Sequence, residues 1–387
     1  MRMLWISDLV TPTGFSRVSH SIIKYLPEDV EVLGLGVNYK GDPHPYPFSI
    51  FPATLMNPND LYGLGRIKEF VKYKPDIIFI INDPWITNQY LEKIKEEFKE
   101  NMPRIVVYIP IDSEEQGNEF FKNFDIVTKV VAYTEFGKNE ILKAKAELED
   151  KISIIPHGID PEVFYHIDRD DARKTLFGPG YEKLKDTFLV LSANRNQPRK
   201  KLDLTMRGFA LFALDKPNVK LYMHCGLIDN DIDIGKLSRR YGIDHKLIVT
   251  SSIKGVQKVP ESMLNLIYNV CNVGVNTSLG EGWSLTNIEH AVTGAPQIVP
   301  DHSACTEVFG DVGLLTPIAI PWTNNNIMTE GKIIDVQEFA NNLDKLYSDK
   351  KLYNSLAKKS MKKFLSPEFQ WSQISKTWYN IFKEILS

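Results

Sequence analysis

The chain of 387 residues alternates short apolar runs with longer amphipathic segments along nearly its whole length. Near-continuous apolar, β-branched runs are typical of strands covered on both faces, as in parallel sheets. The runs occupy residues 3–7, 30–37, 76–81, 104–111, 127–133 and 152–156 in the first half, and 187–193, 219–225, 246–251, 273–277, 296–300 and 313–316 in the second. Helix-like segments between them include residues 85–99, 135–148, 202–214 and 260–270. This order predicts a doubly wound α/β architecture.

The pattern restarts after a polar stretch around residues 160–181, and the chain is longer than one core usually requires. We therefore predict two Rossmann-like domains, one at residues 1–160 and one at residues 161–366.

Three further segments connect or close these domains. Residues 367–387 are predicted to form an amphipathic helix that packs back on the N-terminal domain. Its expected packing residues are Trp371, Trp378 and Phe382. Residues 41–60, which carry five prolines, and residues 317–331, which carry three successive asparagines, are interpreted as connecting loops. The first loop is also a candidate for shaping an acceptor site.

Charge and cysteine usage exclude several classes. The formal net charge of −3 argues against a general nucleic-acid binder, which needs a basic surface. Cys225, Cys271 and Cys305 are far apart and indicate neither a zinc site nor a disulfide framework. No apolar run approaches the 18 residues of a membrane span, so we expect a cytoplasmic protein. The lysine-rich stretch at 358–363 is interpreted as a solvated helix face, with a peripheral membrane contact as the alternative.

A glycine-rich turn carries the strongest functional signal. It follows the predicted strand at 273–277 and leads into a helix, with Glu281 in the turn and Glu289 on the helix. Free backbone N–H groups at a helix start favour anions, and carboxylates accept the vicinal hydroxyls of ribose or hexose. An alternative stays open, because Thr286 and Glu289 have the S/T-x-x-E spacing of a capping box.

A basic loop at residues 192–201 (SANRNQPRKK) follows the predicted strand at 187–193. Ligands of open parallel sheets bind beyond the carboxyl ends of the strands. Four neighbouring cations repel one another unless an anion lies among them, and a diphosphate fits arginine and lysine. A solvated basic loop is the alternative. Because the glycine-rich turn follows a strand of the same predicted sheet, one diphosphate can contact both, without a metal.

These motifs, in this order, resemble those of a large retaining glycosyltransferase family that includes bacterial mannosyltransferases and relatives of glycogen synthase (glycosyltransferase family 4-like). The resemblance is strong from residue 152 to residue 316 and weak before that. It implies the GT-B fold, in which two Rossmann-like domains face each other across a cleft. The matching segments are Glu281 and Glu289 in a Glu-x7-Glu pattern, residues 154–160 (IPHGID), Arg195 with Lys200, residues 306–311 (TEVFGD), and Gly14-Phe15-Ser16 in an N-terminal glycine-rich loop.

The resemblance also implies roles for individual residues. Glu289 is expected to bind the ribose hydroxyls and Glu281 the hydroxyls of the donor sugar. Arg195 and Lys200 are expected to neutralise the departing diphosphate. The other expected donor-binding residues are Gly282, Trp283, Ser284, Leu285, Gly14, Phe15, Arg17 and His157. Retention at the anomeric carbon is implied, with no divalent metal and no cofactor besides the nucleotide sugar.

The sequence also departs from the family pattern. Trp283-Ser284 replaces a usual Phe-Gly, which predicts a less permissive turn and a narrower sugar pocket. His157 replaces a common asparagine, and Lys201 replaces a common glycine. The segment 107–112 lacks the histidine of many relatives, so Asp112 is the candidate for a group near the reacting carbon. A carboxylate there can stabilise an oxocarbenium-like transition state, and a helix cap is the alternative.

The expected activity is transfer of a hexose from a nucleoside-diphosphate sugar to a glycan, lipid or other hydroxyl acceptor. GDP-mannose is slightly favoured over UDP-hexoses, and base selection is expected in residues 251–258. A dehydrogenase is disfavoured because GxGxxG is absent from the sequence. An epimerase or hydrolase of the same fold, and a non-catalytic sugar-nucleotide-binding protein, stay open. The aspartates at 229–233 resemble metal ligands of the other main glycosyltransferase fold, but we interpret them as turn and cap residues.

Overall fold

The computed structural model describes residues 1–230, 232–250 and 259–387. The chain forms two compact units. Unit 1 comprises Met1–Gly158, Asn326–Thr329 and Trp371–Ser387, and unit 2 comprises Ile159–Asn325 and Glu330–Gln370. The boundaries expected from the sequence are residues 160 and 366. Each unit is built around one parallel sheet with helices packed on it.

Unit 1 contains a seven-stranded parallel sheet in the order β3-β2-β1-β4-β5-β6-β7. Its strands are β1 (Arg2–Ser7), β2 (Glu31–Gly36), β3 (Ile50–Pro52), β4 (Ile77–Ile81), β5 (Arg104–Ile109), β6 (Lys129–Ala132) and β7 (Ile152–Ile154). Its helices are α1 (Gly14–Ile23), α2 (Ile67–Phe70), α3 (Pro84–Phe98) and α4 (Glu135–Ala144). Apart from Arg104 at the start of β5, the central strands β4 and β5 are buried, as their continuous apolar sequence predicts for a sheet covered on both faces.

Unit 2 contains a six-stranded parallel sheet in the order β12-β9-β8-β13-β14-β15. Its strands are β8 (Phe188–Ser192), β9 (Val219–Met223), β12 (Leu247–Val249), β13 (Val273–Val275), β14 (Gln297–Pro300) and β15 (Leu314–Thr316). Its helices are α5 (Arg169–Phe177), α6 (Tyr181–Leu184), α7 (Leu202–Phe212), α8 (Ile234–Arg240), α9 (Glu261–Val270), α10 (Leu285–Ala291), α11 (Ala304–Phe309), α12 (Val336–Ser348) and α13 (Lys350–Phe364).

Two antiparallel hairpins were not expected from the sequence. One joins β10 (Ile228–Asp229) to β11 (Ile232–Asp233), and the other joins β16 (Ile318–Asn324) to β17 (Thr329–Ile334). The interpretation of residues 317–331 as a loop is therefore wrong. Pro321 and the asparagine run suggested a loop, but a proline is tolerated in a two-stranded ribbon, where one edge makes no ladder hydrogen bonds.

The C-terminal helix α14 (Trp371–Leu386) belongs to unit 1. The ring of Trp378 lies 4.9 Å from that of Phe79 and 4.8 Å from that of Tyr108. The Ser375 hydroxyl donates a hydrogen bond to the Ile22 carbonyl at 3.1 Å. Because Trp371, Trp378 and Phe382 are all buried, the apolar face of α14 contributes to the packing of unit 1. Within the described ranges, no helix combines the length and apolarity needed to cross a membrane.

Candidate functional site

The candidate site lies in unit 2, where two adjacent strands end. β8 pairs with β13 in parallel, so the loops that follow them leave the same edge of the sheet. The two loops are in contact, because the Leu279 N–H donates to the Arg199 carbonyl at 2.9 Å. The Thr277 hydroxyl also donates to the Lys201 carbonyl at 3.0 Å. The basic loop and the glycine-rich turn therefore form one surface of the protein.

Glu281 and Lys200 form an ion pair at this surface. The Lys200 Nζ lies 2.5 Å from the Glu281 Oε1, and the two side chains are 12% and 6% exposed. The Arg199 Nη1 donates to the Gly280 carbonyl at 2.6 Å and lies 3.5 Å from the Glu281 Oε2. Burial alone would raise the pKa of Glu281, but the positive charges of Lys200 and Arg199 lower it to about 2. Glu281 is therefore an ionised carboxylate in a largely buried setting.

The backbone of Glu281 is anchored as well as its side chain. Its N–H donates to the Ser303 hydroxyl at 2.9 Å, and its carbonyl accepts from the Ala304 N–H at 3.2 Å. The Asn276 Nδ2 donates to the Glu281 Oε1 at 2.9 Å. The carboxylate thus has little freedom to leave its position.

Three residues around Glu281 have left-handed or related backbone conformations without being glycine. Their φ angles are +47° at Lys201, +73° at Ser284 and +53° at Ser303. Such conformations are unfavourable for residues with a Cβ and tend to occur at functional sites. Lys201 and Ser284 stand where the family commonly has glycine, and both keep a glycine-like backbone. The Ser284 hydroxyl, which donates to the Asn287 Oδ1 at 2.7 Å, helps to hold this conformation.

Arg195 faces a different carboxylate from Lys200. Its Nε lies 3.1 Å from the Asp229 Oδ2, with the side chains 42% and 12% exposed. Asn196 connects the basic loop to the same hairpin, because its Nδ2 donates to the Ile232 carbonyl at 2.9 Å. The two cations expected to bind one diphosphate therefore have separate partners in this structure.

Glu289 is buried in α10 and accepts a hydrogen bond from a tyrosine. The Tyr268 hydroxyl donates to the Glu289 Oε2 at 2.7 Å, and Glu289 is 2% exposed. The N-cap residue of α10 is Ser284, so Thr286 lies inside the first turn and not at the cap. The capping-box alternative for Glu289 is therefore wrong. The carboxylate is held by α9 instead.

The rest of the glycine-rich turn divides into packed and open residues. Trp283 is buried, and its ring lies 6.2 Å from that of Phe369. Gly282 and Leu285 are partly exposed. Their backbone is thus the part of the turn that a ligand can approach, whereas the indole of Trp283 serves in packing.

Three expected ligand residues lie on α1 in unit 1. Helix α1 begins at Gly14, and Thr13 caps it by accepting from the Ser16 N–H at 3.3 Å. Gly14 is exposed, and Phe15 and Arg17 are partly buried. Gly14 is therefore the first residue of a helix and not part of the preceding loop.

His157 and Asp112 are also in unit 1. The His157 ring is buried 4.1 Å from that of Tyr133 and 5.8 Å from that of Trp371, and burial lowers its pKa to about 3. His157 is therefore neutral within an aromatic cluster. Asp112 follows β5, and its Oδ1 accepts from the Ser113 hydroxyl at 3.3 Å. The helix-cap alternative for Asp112 is wrong, because the next helical turn begins at Asn118 with Gly117 as its N-cap.

Several residues of the site were missed from the sequence. Arg199 lay in the basic loop but was not distinguished from its neighbours, and Asn276 and Ser303 gave only the signal of polar residues near strand ends. Tyr268 gave no usable signal, because its partner is distant in the chain, and Asp229 was interpreted only as a turn or cap residue. Residues 251–258, expected to select the base, lie outside the described residues.

The interpretation of the aspartates at 229–233 as turn and cap residues is wrong for Asp229, which lies in β10 and pairs with Arg195, and is correct for Asp233. Asp233 caps α8 by accepting from the Lys236 N–H at 2.9 Å, and Asp231 lies outside the described residues. Across residues 1–230, 232–250 and 259–387, no cluster of three or more His, Cys, Asp or Glu side chains is arranged to hold a metal ion.

A depression of about 470 Å³ lies at the opposite, amino-terminal end of β8. Arg173 lines it and is 4% exposed. Its guanidinium donates to the carbonyls of Val270, Lys185 and Thr187 at 2.6–3.1 Å. These bonds give Arg173 a structural role, and the depression is separate from the candidate site.

Comparison with known sequences places the site in a family. Residues 178–363 match the sequence model of the family described as Glycosyl transferases group 1. Residues 178–363 form a glycosyl transferases group 1 domain. The basic loop, the glycine-rich turn and both glutamates lie inside it, so the resemblance inferred from the motifs is confirmed.

One curated relative matches about half of this chain. It is D-inositol 3-phosphate glycosyltransferase from Stackebrandtia nassauensis (strain DSM 44728), 28% identical over 205 residues. The match covers 52% of this chain and 42% of the relative, so the chain spans less than half of that protein.

Solved structures match over the whole chain at low identity. Sucrose-phosphate synthase from Thermosynechococcus elongatus has a TM-score of 0.73 and 16% identity, covering 100% of this chain and 99% of that one. A glycosyltransferase from Rickettsia africae ESF-5 has a TM-score of 0.74 and 16% identity, covering 100% and 98%. Anabaena Alr3699/HepE has a TM-score of 0.74 and 15% identity, covering 99% of each chain. These matches confirm the fold class, GT-B with two Rossmann-like domains.

Proposed function

We propose that the chain is a glycosyltransferase that moves a hexose from a nucleoside-diphosphate sugar to a hydroxyl acceptor. The observation that carries the proposal is the Lys200–Glu281 pair, buried where β8 and β13 end in the glycosyl transferases group 1 domain. A diphosphate needs a cation, and a sugar hydroxyl needs an acceptor such as a carboxylate. This pair provides both groups within 2.5 Å of each other.

The loop charges suit departure of a nucleoside diphosphate. When the bond from the anomeric carbon to the diphosphate breaks, negative charge develops on the phosphate oxygens. Arg195, Arg199 and Lys200 lie within six residues of one loop and can stabilise that charge. Metal independence is part of the proposal, because these three loop cations can supply the positive charge that a metal would otherwise provide to the diphosphate.

The remaining roles follow the family resemblance. Glu281 accepts hydroxyls of the transferred sugar, Glu289 accepts those of the ribose, and backbone N–H groups near Gly282 approach the phosphates. The acceptor is proposed to bind unit 1, where Asp112 follows β5. Attack by the acceptor hydroxyl is proposed to occur with retention at the anomeric carbon.

Donor and acceptor are proposed as classes. GDP-mannose and UDP-hexoses are the donors to test first, and the description of Alr3699/HepE in complex with UDP and glucose supports including UDP-glucose. Glycans and lipid-linked sugars are the expected acceptors. The name of the curated relative adds phosphorylated inositol. We propose a cytoplasmic location without a nucleic-acid partner, and the lysine-rich stretch at 358–363 is the segment to test for peripheral membrane contact.

Product analysis tests the proposal. The purified chain is incubated with UDP-, GDP- and ADP-hexoses, with and without acceptor, and release of the nucleoside diphosphate is followed. We expect acceptor-dependent release and, by NMR, a product with the anomeric configuration of the donor. An epimerised donor without acceptor would indicate an epimerase. Nucleotide binding without turnover on any acceptor would indicate a binding protein.

A further inference from the structure

A row of hydrogen-bonded, buried polar side chains, here called the amide chain, lies behind Glu281. It comprises Asn276 after β13, Ser284 and Asn287 at the start of α10, and Gln297 in β14. These four residues are 0%, 7%, 4% and 0% exposed, respectively. Burying amides and hydroxyls is unfavourable unless each finds a hydrogen-bond partner, so a buried polar chain calls for a specific explanation.

Each amide in this chain has a fixed orientation. The Asn276 Oδ1 accepts from the Ser278 N–H at 2.8 Å, and its Nδ2 donates to the Asn287 Oδ1 at 3.2 Å. The Asn287 Nδ2 donates to the Gln297 Oε1 at 2.9 Å, and the Gln297 Nε2 donates to the Ala295 carbonyl at 2.8 Å. Rotating any one amide would place two acceptors or two donors against each other. The N–H groups of the amide chain therefore all donate in one direction, from Asn276 through Asn287 and Gln297 to the Ala295 carbonyl.

Close packing around Gln297, at the far end of the amide chain, keeps the amide chain from shifting. A Cβ at Gly274 would lie 2.0 Å from the Gln297 Oε1, so the Gln297 amide occupies the space that a larger residue in β13 would fill. Gln297 is itself a strand residue of β14. The far end of the amide chain thus lies on β14, which is paired with β13 inside the sheet, and paired core strands are among the last parts of a fold to open locally.

At the near end of the amide chain, Asn276 contacts the Glu281 carboxylate. The Asn276 Nδ2 is 2.9 Å from the Glu281 Oε1 and 3.0 Å from the Ser284 Oγ. Lys200 binds the same Glu281 oxygen. A diphosphate would compete for the charge of Lys200, whereas Asn276 is neutral and anchored to the sheet. Asn276 can therefore keep Glu281 in place when the donor arrives.

We propose that Asn276 is a positioning residue: through the amide chain to Gln297 it orients the Glu281 carboxylate toward the donor sugar. This inference rests on the proposed function of Glu281. The oriented donor is an N–H group, so an aspartate at position 276 would present an acceptor to another acceptor.

The charged and titratable groups around Glu281 determine how such a change would be detected. Lys200 and Arg199 face it from the basic loop, and Cys305 faces it from α11. The Cys305 thiol has a pKa raised well above its usual value, by burial first and then by the charge of Glu281. Glu281 is the carboxylic acid of this group, so its titration is the one that reports a change at position 276.

The test uses the full chain and compares Asn276→Asp and Asn276→Leu with Asn342→Leu. Asn342 is a matched control in the same domain, 3% exposed, whose Nδ2 donates to the Leu315 carbonyl at 3.1 Å. We expect both Asn276 variants to lower kcat/KM about 10–100-fold, the size of losing a hydrogen bond to a charged group. Asn276→Asp should also move the acid limb of the pH profile upward by about one unit or more, because two carboxylates then share one site. Asn342→Leu should keep the wild-type profile.

A second readout does not depend on turnover. The titration of Glu281 is followed by NMR of ¹³C-labelled glutamate carboxyls, with the signal identified by its loss in Glu281→Gln. We expect the Glu281 midpoint to rise in Asn276→Asp and in Asn276→Leu and to stay unchanged in Asn342→Leu. A wild-type chain without activity would count against the proposed function, whereas an unmoved Glu281 titration would overturn the role of Asn276.

Ser284→Gly keeps the test decisive if the Asn276 variants do not fold. Glycine tolerates the positive φ at position 284, so this variant removes one partner of Asn276 without backbone strain. We expect kcat/KM to fall about 3–10-fold, the effect of one neutral hydrogen bond, together with a smaller rise of the Glu281 midpoint. Wild-type values of both quantities would overturn the proposal.

Discussion

Two ion pairs near the end of β8 each join a basic side chain to a carboxylate, but they differ in how far they are buried. In the inner pair, Lys200 and Glu281 are 12% and 6% exposed and 2.5 Å apart. In the outer pair, Arg195 and Asp229 are 42% and 12% exposed and 3.1 Å apart. The two cations are only five residues apart in the chain.

Burial gives the two pairs different roles. Breaking a buried pair leaves an uncompensated charge, whereas breaking an exposed pair changes little because water replaces the partner. We therefore expect the inner pair to keep its geometry unless a ligand supplies equivalent charges and hydrogen bonds. The outer pair can release Arg195 toward an arriving diphosphate at little cost.

The largest expected effect is on folding stability. Lys200→Met should lower the free energy of unfolding by about 3–5 kcal/mol, because Glu281 then stays buried without its ammonium partner. The double variant Lys200→Met/Glu281→Gln should recover most of this loss, since the remaining amide is neutral. Urea denaturation measures both variants, and Arg195→Met is the matched control, with an expected change within about 1 kcal/mol. Equal losses in Lys200→Met and Arg195→Met would remove the distinction between the pairs.

The next effect is on turnover. Arg195→Ala should reduce turnover about 10²–10³-fold, the usual loss for one key electrostatic group, while the fold is retained. Arg240→Ala removes an exposed arginine at the end of α8 and should leave turnover unchanged. Steady-state rates with saturating donor provide the measurement. Wild-type turnover in Arg195→Ala would exclude Arg195 from the mechanism.

Acid should destabilise the inner pair selectively. The pKa of Glu281 in the folded chain is lowered from 4.5 to about 2, so the native state favours the ionised form. Its contribution is present above pH 4.5 and is lost as the pH falls toward 2, amounting to about 3 kcal/mol. Urea midpoints measured from pH 5 to pH 2 should fall more steeply in the wild type than in Glu281→Gln. Parallel curves would show that Glu281 is not stabilised as an anion.

The smallest effect concerns Glu289, whose carboxylate accepts a hydrogen bond from the Tyr268 hydroxyl. Tyr268→Phe removes a hydroxyl that donates to the buried Glu289 and should cost about 1.5–3 kcal/mol of stability. We also expect weaker binding of UDP or GDP by calorimetry, as in Glu289→Gln. Tyr353→Phe is the control, because its hydroxyl donates to the Asn272 carbonyl at 2.7 Å in the same domain. If Tyr268→Phe and Tyr353→Phe bind nucleotide equally well, Tyr268 does not orient Glu289.

Local sequence signals were sufficient to predict most of the strands of the two parallel sheets. Every predicted apolar run contains a strand, because two-sided burial requires continuous apolar residues. The short strand β3 and the two hairpins were missed, since their residues are partly exposed and interrupted by proline or polar residues. Such strands depend on neighbouring elements more than on their own composition.

The site was predictable only in part for a similar reason. The rule that strand ends carry ligand sites located the basic loop and the glycine-rich turn, and these are in contact. It did not reveal that Lys200 pairs with Glu281 while Arg195 pairs with Asp229. It also did not reveal that Tyr268 holds Glu289 or that Asn276 leads to Gln297. These contacts join residues on different elements, so spacing along the chain contains no signal for them.

The most direct test of the account is calorimetric titration of the full chain with UDP and GDP, each compared with its nucleoside. The account predicts that at least one diphosphate binds, at least about tenfold more tightly than its nucleoside, and that Arg195→Ala loses most of this preference. A diphosphate at about 100 times its dissociation constant should also stabilise the wild type by about 2.7 kcal/mol. Failure of both diphosphates to bind, or an undiminished preference in Arg195→Ala, would contradict the account.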